Sequence, residues 1–361
     1  METVHVNLGP RSYDIEIGSG NLANVVRFCN AEADDAHAVI ITDSNVDGLY
    51  SEPVGDALTE AGAQVDILIA EAGEQSKAPE VAADLWEQLL DQGTDRKSVV
   101  IALGGGVIGD LAGFVAATYG RGLRFVQVPT TLLAQVDSSV GGKVGINLPG
   151  GKNLVGAFWQ PRGVLIDVSV LNSLPEREFK AGMAEVVKYG VIQDADFFAY
   201  LEKNAEAINK RDAATLTYIV KRCCRLKADV VEKDEREETG LRSILNYGHT
   251  FCHAFEAGTG YEELLHGEGV AIGMMCAARL AERLGRVDAA FVQRQQKLLE
   301  TFGLSLDVPD IDDDELIELM YRDKKVERGK LRFVLPTRFG HVDLVPDVSN
   351  DDVLASLAES E

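Results

Sequence analysis

SVVIALGGGVIGDLAG, residues 98–113, is the stretch on which the fold turns. It opens as a short apolar run of the kind found in strands buried on both faces, and it closes in helical spacing. Between the two stand Gly104, Gly106 and Gly109, a G-x-G-x-x-G pattern in the strand–turn–helix context that gives the pattern its meaning. Glycine lets a backbone approach a pyrophosphate closely, and a helix N-terminus offers free N–H groups and a partial positive charge. A tight crossover that binds nothing is the alternative.

The same alternation extends outward. HAVIITD (37–43), QVDILIA (64–70) and GLRFVQVPTT (122–131) read as strands, and YDIEIG near the start as an added edge or hairpin strand. VGDALTEAGA (54–63) and EVAADLWEQLLDQG (80–93) read as helices, the second closed by Gly93. Strand–helix alternation predicts a largely parallel sheet covered on both faces. The acid that usually binds ribose about 20 residues beyond the glycine loop is missing, since FVQVPTT stands there. Asp43 in ITDSN and the GEQSK segment with Glu74 and Lys77 lie at other strand ends and can serve instead.

Beyond about residue 175 strand-like runs give way to long helical segments until KLRFVLPTRFGHVDLV at 330–345. Pro175 and the acidic residues after it mark the start of a helix. The expectation is an α/β domain over 1–175 and a mostly helical one over 176–361. The acidic run DIDDDE at 310–315 lacks the glycine and ligand spacing of a calcium loop and reads as a solvated helix start.

Composition narrows the function. A formal charge of −23 over 361 residues repels nucleic acid and anionic membranes, so neither is expected as a partner. The N-terminal stretch has no basic start and no apolar h-region, and the five cysteines form no C-x-x-C pair. Both point to a reducing compartment, with the cytoplasm as the expectation.

Two further constellations carry chemistry. DSSVGGKVGINLPGGKNLVGAFWQP (137–161) reads as a long glycine-rich loop, in which Lys143 and Lys152 can meet an anion with help from backbone N–H groups. Other cations stand at Arg121, Lys188, Lys227, Arg242 and Lys324–Lys325. In NYGHTFCHAFE (246–256), His249 and His253 share a helix face at i and i+4, and His266 follows in LLHGEG. Glu185 and Lys188 share a face of the GMAEVVKYG helix. Either the three histidines bind a metal together, or two of them bind it with Glu185 and leave an open coordination position. Spacing does not choose between these.

Taken together, GGGVIGDLAGFVAATYGRG, VPTTLLAQVDSSVGGKVGIN, GKNLVGAFWQP, GMAEVVKYG and LNYGHTFCHAFE…LHGEGVAIGM resemble the 3-dehydroquinate synthase family, in order from Asp43 to the DKK at 323–325. The resemblance implies an N-terminal NAD-binding α/β domain, a C-terminal helical metal-binding domain and an active site in the cleft between them. It implies a zinc or cobalt ion on Glu185, His249 and His266, with His253 left near the substrate as a catalytic group beside Asn246, Lys188, Lys143 and Asp137. NAD would meet Asp43, Asn45, Glu74, Lys77, Gly105, Gly106, Asp110, Thr130, Thr131, Asp137, Ser138, Lys143, Lys152, Ser173 and Glu178. Substrate would meet Lys152, Asn153, Lys227, Arg242 and Lys325, with Arg121 supplied across a homodimer.

The implied reaction takes 3-deoxy-D-arabino-heptulosonate 7-phosphate to 3-dehydroquinate and phosphate, a step of the shikimate pathway toward aromatic amino acids. It proceeds by transient oxidation with NAD, phosphate elimination, reduction and intramolecular aldol closure. Another sugar phosphate cyclase, such as 2-deoxy-scyllo-inosose synthase, or a metal-dependent polyol dehydrogenase are the alternatives.

Overall fold

A computed structural model of the chain describes residues 1–29, 36–260, 263–322 and 331–357. It divides into two compact units, residues 1–174 with 216–232, and residues 175–215 with 233–361.

The first unit is built on strands β1 (Glu2–Val6), β2 (Tyr13–Gly18), β3 (His37–Asp43), β4 (Gln64–Ala70), β5 (Val99–Gly104), β6 (Arg124–Pro129), β7 (Lys143–Leu148), β8 (Gly151–Phe158) and β9 (Gly163–Asp167). Seven form one sheet in the order β1-β2-β9-β6-β5-β3-β4, parallel except for the β1–β2 hairpin. On β3, Val39 and Ile41 enter one apolar cluster and Ile40 enters the other. Successive side chains of a strand point to opposite faces, so both faces of the sheet are covered. Fully burying each such side chain stabilises the unit by roughly 1.5–3 kcal/mol.

The strand order reverses between β3 and β5: the chain runs outward from β3 to β4, then returns to β5 and continues outward through β6 on the other side. The carboxyl ends at such a switch point form a ready-made crevice. Here those ends carry Asp43 and Gly104.

Two strands of this sheet escape the sequence reading. GVLID at 163–167 is buried throughout as β9, and it takes a place between β2 and β6. The other is β1, which forms the edge; YDIEIG, expected as an edge or hairpin strand, is its hairpin partner β2.

The stretch 137–161 is not a loop. It holds the antiparallel β7–β8 hairpin, with Gly145 opposite Gly156. A Cβ on Gly145 would stand 2.7 Å from the Val155 carbonyl oxygen, and one on Gly156 2.3 Å from that of Val144. Glycine is thus needed for the strands to pack rather than to unsettle them. Val144 and Ile146 on β7 are buried in the cluster that also takes the helix Gly106–Thr118.

A single cut after residue 175 also misses the helix Ala213–Val231, which from Leu216 onward belongs to the first unit. Its side chains explain why. Arg225 donates to the His5 carbonyl at 2.6 Å, the Cys224 thiol to the Gln135 carbonyl at 3.3 Å, and Lys221 pairs with Glu2.

The second unit holds the helices Glu176–Ile192, Ala195–Asn209, His249–Gly258, His266–Arg283, Ala289–Thr301, Asp313–Arg322 and Asn350–Ala355, with one hairpin of β10 (Arg332–Arg338) and β11 (His341–Pro346). The Asp194 side chain caps the second of these by accepting from Phe197 N at 2.9 Å. The expected helix start in the acidic run is found at Asp313. All five cysteines are buried and none forms a disulfide. Burial pushes the thiols of Cys29, Cys224 and Cys276 up to about 12. Among the described residues no helix is long and apolar enough to cross a membrane.

Candidate active site

The centre of the second unit is a buried carboxylate paired with a buried ammonium. Glu185 is fully buried in the helix Glu176–Ile192, and its Oε1 accepts no hydrogen bond. The Lys188 ammonium, one helical turn on and equally buried, stands against Oε2 as an ion-pair partner. Nε2 of His249 lies 3.5 Å from Glu185 Oε1, and Nε2 of His266 lies 3.8 Å from the same oxygen. Ligand atoms from the three residues all fall within 4.8 Å of one another.

Each histidine begins a helix, and backbone packing fixes where. At Gly267 a Cβ would stand 1.9 Å from the Ala181 carbonyl oxygen, so the helix after His266 rests directly on the helix that carries Glu185. At Gly273 a Cβ would stand 2.2 Å from the Gly248 carbonyl, which seats the helix of His249 on the same element. Gly248 itself has φ +81°, in the left-handed region that glycine enters freely.

Outer contacts orient the rings. His249 Nδ1 faces the Tyr247 carbonyl at 3.2 Å, and His266 Nδ1 faces Glu256 Oε1 at 3.3 Å. A cation at Nε2 would leave the one remaining ring proton on Nδ1, against the Tyr247 carbonyl in His249 and against Glu256 in His266. Desolvation pushes the His266 ring toward its neutral form, but the Cys252 sulfur and the Glu256 carboxylate hold its pKa well above the usual imidazole value. His253 lies outside this set, its ring edge-on to His249 with centroids 5.7 Å apart.

In the first unit a second constellation surrounds the β3/β5 switch point. Lys77, almost fully buried, donates to Asp110 at 2.8 Å and to Asn153 at 2.6 Å, with Glu74 at 3.6 Å. Burial pulls the Lys77 ammonium down, but Asp110 and Glu74 outweigh it and hold its pKa above the ordinary lysine value. Asn147 knits this group together: its amide nitrogen donates to Glu74 at 2.8 Å, and its side-chain oxygen accepts from Asn153 N at 2.8 Å. Asn153 has φ +54° on β8. Asp43 folds back to accept from the backbone N–H groups of Asn45 and Val46, and burial still raises its pKa. Gly105 and Gly106 pass so close to Thr131 and Ser138 that a Cβ would meet those side chains at 3.0 and 3.1 Å.

A 3-dehydroquinate synthase N-terminal family model matches residues 67–181, and its C-terminal counterpart matches residues 182–326. The chain belongs to the 3-dehydroquinate synthase family. A relative of that name from Rhodopirellula baltica is 49% identical, over 99% of this chain and 97% of its own length. The fold is close to that of 2-deoxy-scyllo-inosose synthase, solved with carbaglucose-6-phosphate, NAD+ and Co2+ (TM-score 0.89, 28% identity, 99% of each chain). It is also close to that of 2-epi-5-epi-valiolone synthase from Streptomyces hygroscopicus, solved with NAD+ and Zn2+ (TM-score 0.88, 28% identity, 96% of this chain and 95% of the other).

The residues of this member of the 3-dehydroquinate synthase family fit both groups. One carboxylate and two imidazoles suit a borderline cation such as zinc or cobalt, and three protein ligands leave a coordination position open. Oε1 of Glu185, which accepts no hydrogen bond, is what such a cation would complete. Around the glycine turn, the buried hydroxyls of Thr130 and Ser138 have no hydrogen-bond partner, as a loop built to receive a polar cofactor would leave them.

Of the other expected residues, Asp137 and Lys227 meet, with Lys227 Nζ 2.9 Å from Asp137 Oδ1. Lys143 and Lys152 are not brought together; they sit at opposite ends of the β7–β8 hairpin. Ser173 is bonded to the Tyr50 hydroxyl at 2.6 Å. Glu178 lies in the first turn of the helix of Glu185, and burial raises its pKa. Arg121 is exposed at φ +69° between Gly120 and Gly122, both also at positive φ. Arg242 is buried, its guanidinium donating to the Glu235 carbonyl at 2.8 Å, and Asn246 ends the same short helical segment. Lys324 and Lys325 lie outside the described residues.

Sequence reasoning missed Glu256 and Asn147. Glu256 stands at i+7 from His249, on the same helix face, and that spacing was the available signal. Asn147 carries no signal in a segment that reads as a glycine-rich loop.

Proposed function

We infer that this chain converts 3-deoxy-D-arabino-heptulosonate 7-phosphate to 3-dehydroquinate and phosphate, with NAD recycled in place and one divalent cation, zinc or cobalt. The observation that carries this is the buried Glu185, whose unpartnered Oε1 faces two imidazole Nε2 atoms, in a chain of this family. Bound NAD would supply a reversible hydride acceptor for C5, and Glu185, His249 and His266 would hold a cation able to polarise the oxygen there.

The chain's own residues bind, orient and manage protons. Arg242, Lys152, Asn153, Lys227 and Lys325 hold the carboxylate and phosphate of the substrate, which offsets a net charge that would otherwise repel it. Lys188, the ion-pair partner of Glu185, stands with the catalytic groups. During β-elimination a phosphate oxygen of the substrate takes the C6 proton while the C–O bond to phosphate breaks. His253 and Asn246 orient the neighbouring hydroxyls, and Lys143 and Asp137 stand with them as catalytic groups. Ring opening then frees an enol whose carbon attacks the C2 carbonyl to close the carbocycle. The hydride lost is the hydride returned, so no net oxidation occurs.

Asp43, Asn45, Glu74, Lys77, Gly105, Gly106, Asp110, Thr130, Thr131, Ser138, Ser173 and Glu178 serve the cofactor. The Gly120–Arg121–Gly122 turn projects Arg121 outward, which supports a homodimer in which this side chain completes a partner's phosphate site. The absence of disulfides among the five cysteines supports a cytoplasmic setting.

The deciding assay follows phosphate release from the heptulosonate phosphate with substoichiometric NAD. Phosphate and 3-dehydroquinate should form in equal amounts with no net NADH. Accumulating NADH would indicate a dehydrogenase, turnover of a hexose 6-phosphate another cyclase, and full activity after metal removal would overturn the reading.

A further inference from the structure

We propose that Glu256 is a positioning residue for the cation centre: its carboxylate accepts the Nδ1–H of His266 and so aims Nε2 of that ring at the seat beside Glu185. The inference rests on the reading of Glu185, His249 and His266 as cation ligands. Glu256 is 5% exposed, so its carboxylate has little water to turn to, and its Oε1 lies 3.3 Å from His266 Nδ1. The opposite nitrogen of the same ring is the one 3.8 Å from Glu185 Oε1. A neutral imidazole carries a single N–H; held at Nδ1, it leaves the Nε2 lone pair for a cation. The two ligand histidines therefore differ. His249 is backed by the neutral carbonyl of Tyr247, whereas His266 is backed by a charged group that increases the basicity of its ligating nitrogen.

The helix His249–Gly258 supplies this arrangement by itself. His249, Cys252 and Glu256 lie at i, i+3 and i+7, along one face. The ligand and the group that orients its neighbour are thus set by one rigid element. Cys252 fills the space between them, its sulfur 3.9 Å from His266 Nδ1 and 3.7 Å from the His266 carbonyl. Donor atoms of Cys252, Glu256 and His266 also lie within 4.8 Å of one another, so a cation held on that side is the competing arrangement. It would take Nδ1 of His266 and leave Oε1 of Glu185 unsatisfied.

Cobalt titration of the chelator-stripped protein tests this, read by the visible ligand-field bands, with far-ultraviolet circular dichroism to check folding. Glu256→Leu should lower the affinity for Co2+ on the order of 10–100-fold and shift the bands. Glu256→Asp, which keeps the charge but withdraws it by one methylene, should fall between. Binding by both variants as tight as that of the parent, with unchanged bands, would overturn the proposal. So would a sulfur-to-cobalt charge-transfer band in the parent that Cys252→Ser abolishes. If Glu256→Leu does not fold, the Glu256→Asp comparison decides by the same criteria. His249→Ala separates this inference from the reading beneath it: if that variant binds Co2+ like the parent, or the parent binds none, the ligand assignment fails as well.

Discussion

Lys227 grips Asp137 twice, its ammonium 2.9 Å from the carboxylate Oδ1 and 2.8 Å from the backbone carbonyl of the same residue. The lysine comes from the segment 216–232, far along the chain, and the aspartate from the turn before β7. One contact thereby sets both the side chain and the main chain of a residue assigned to catalysis.

Lys227→Met removes a nearly buried cation and leaves Asp137 with partial access to water. Equilibrium denaturation should show a loss of about 3 kcal/mol, the lower end for breaking a buried pair. Turnover should fall on the order of 100-fold, because the carboxylate loses its fixed position. A variant equal to the parent in both respects would exclude the clamp.

Gly267→Ala places a methyl group against the Ala181 carbonyl, where no flexible side chain can yield. The stability loss should reach roughly 2 kcal/mol or more. Cation content after dialysis should fall as well, because His266 moves with its helix. Metal analysis of the purified variant checks this; retained stoichiometric zinc would show that the helices slide apart without disturbing the ligands.

Glu268 accepts from Leu265 N at 2.9 Å and pairs with Arg177 at 2.7 Å, at the start of the helix that carries His266. Burial pushes its carboxyl up, but Arg177 and the Leu265 N–H outweigh this and lower its pKa from 4.5. A depressed carboxylate stabilises the fold above its unfolded pKa, and that stability is lost as pH falls through the folded value. Glu268→Gln should therefore cost about 0.5–1 kcal/mol at pH 7. The cost should vanish in acid, below the depressed value. A difference from the parent that is flat with pH would refute the charge-based account.

His253→Ala should keep its full complement of cation and lose kcat/KM on the order of 100-fold, the lower range for a lost acid–base group. Metal analysis and phosphate release on one preparation check both. Loss of the cation would instead place His253 among the ligands.

Much of this was legible in the chain, for stated reasons. HAVIITD coincides with β3 because a continuous apolar run ending in turn residues has few other uses, and QVDILIA coincides with the edge strand β4, where buried Leu68 and Ala70 alternate with exposed Ile67 and Ile69. The spacing of Glu185 and Lys188 correctly put both on one face. What stayed hidden depended on partners remote in sequence. GVLID is too short to declare itself until β2 and β6 flank it. Glycine removes the alternation by which the β7–β8 hairpin would be recognised. The assignment of residues 216–232 to the first unit rests on contacts to His5, Gln135 and Asp137 that no local pattern contains.

The sequestered thiols have a practical consequence. Alkylating reagents and mild oxidants act on accessible thiolates, and five sheltered sulfurs, three with proton affinities near the alkaline limit, offer them little. A single cysteine introduced on the surface would then be the preferred target for a fluorophore or spin label, and distance measurements could follow the enzyme through its cycle without first stripping out the native ones.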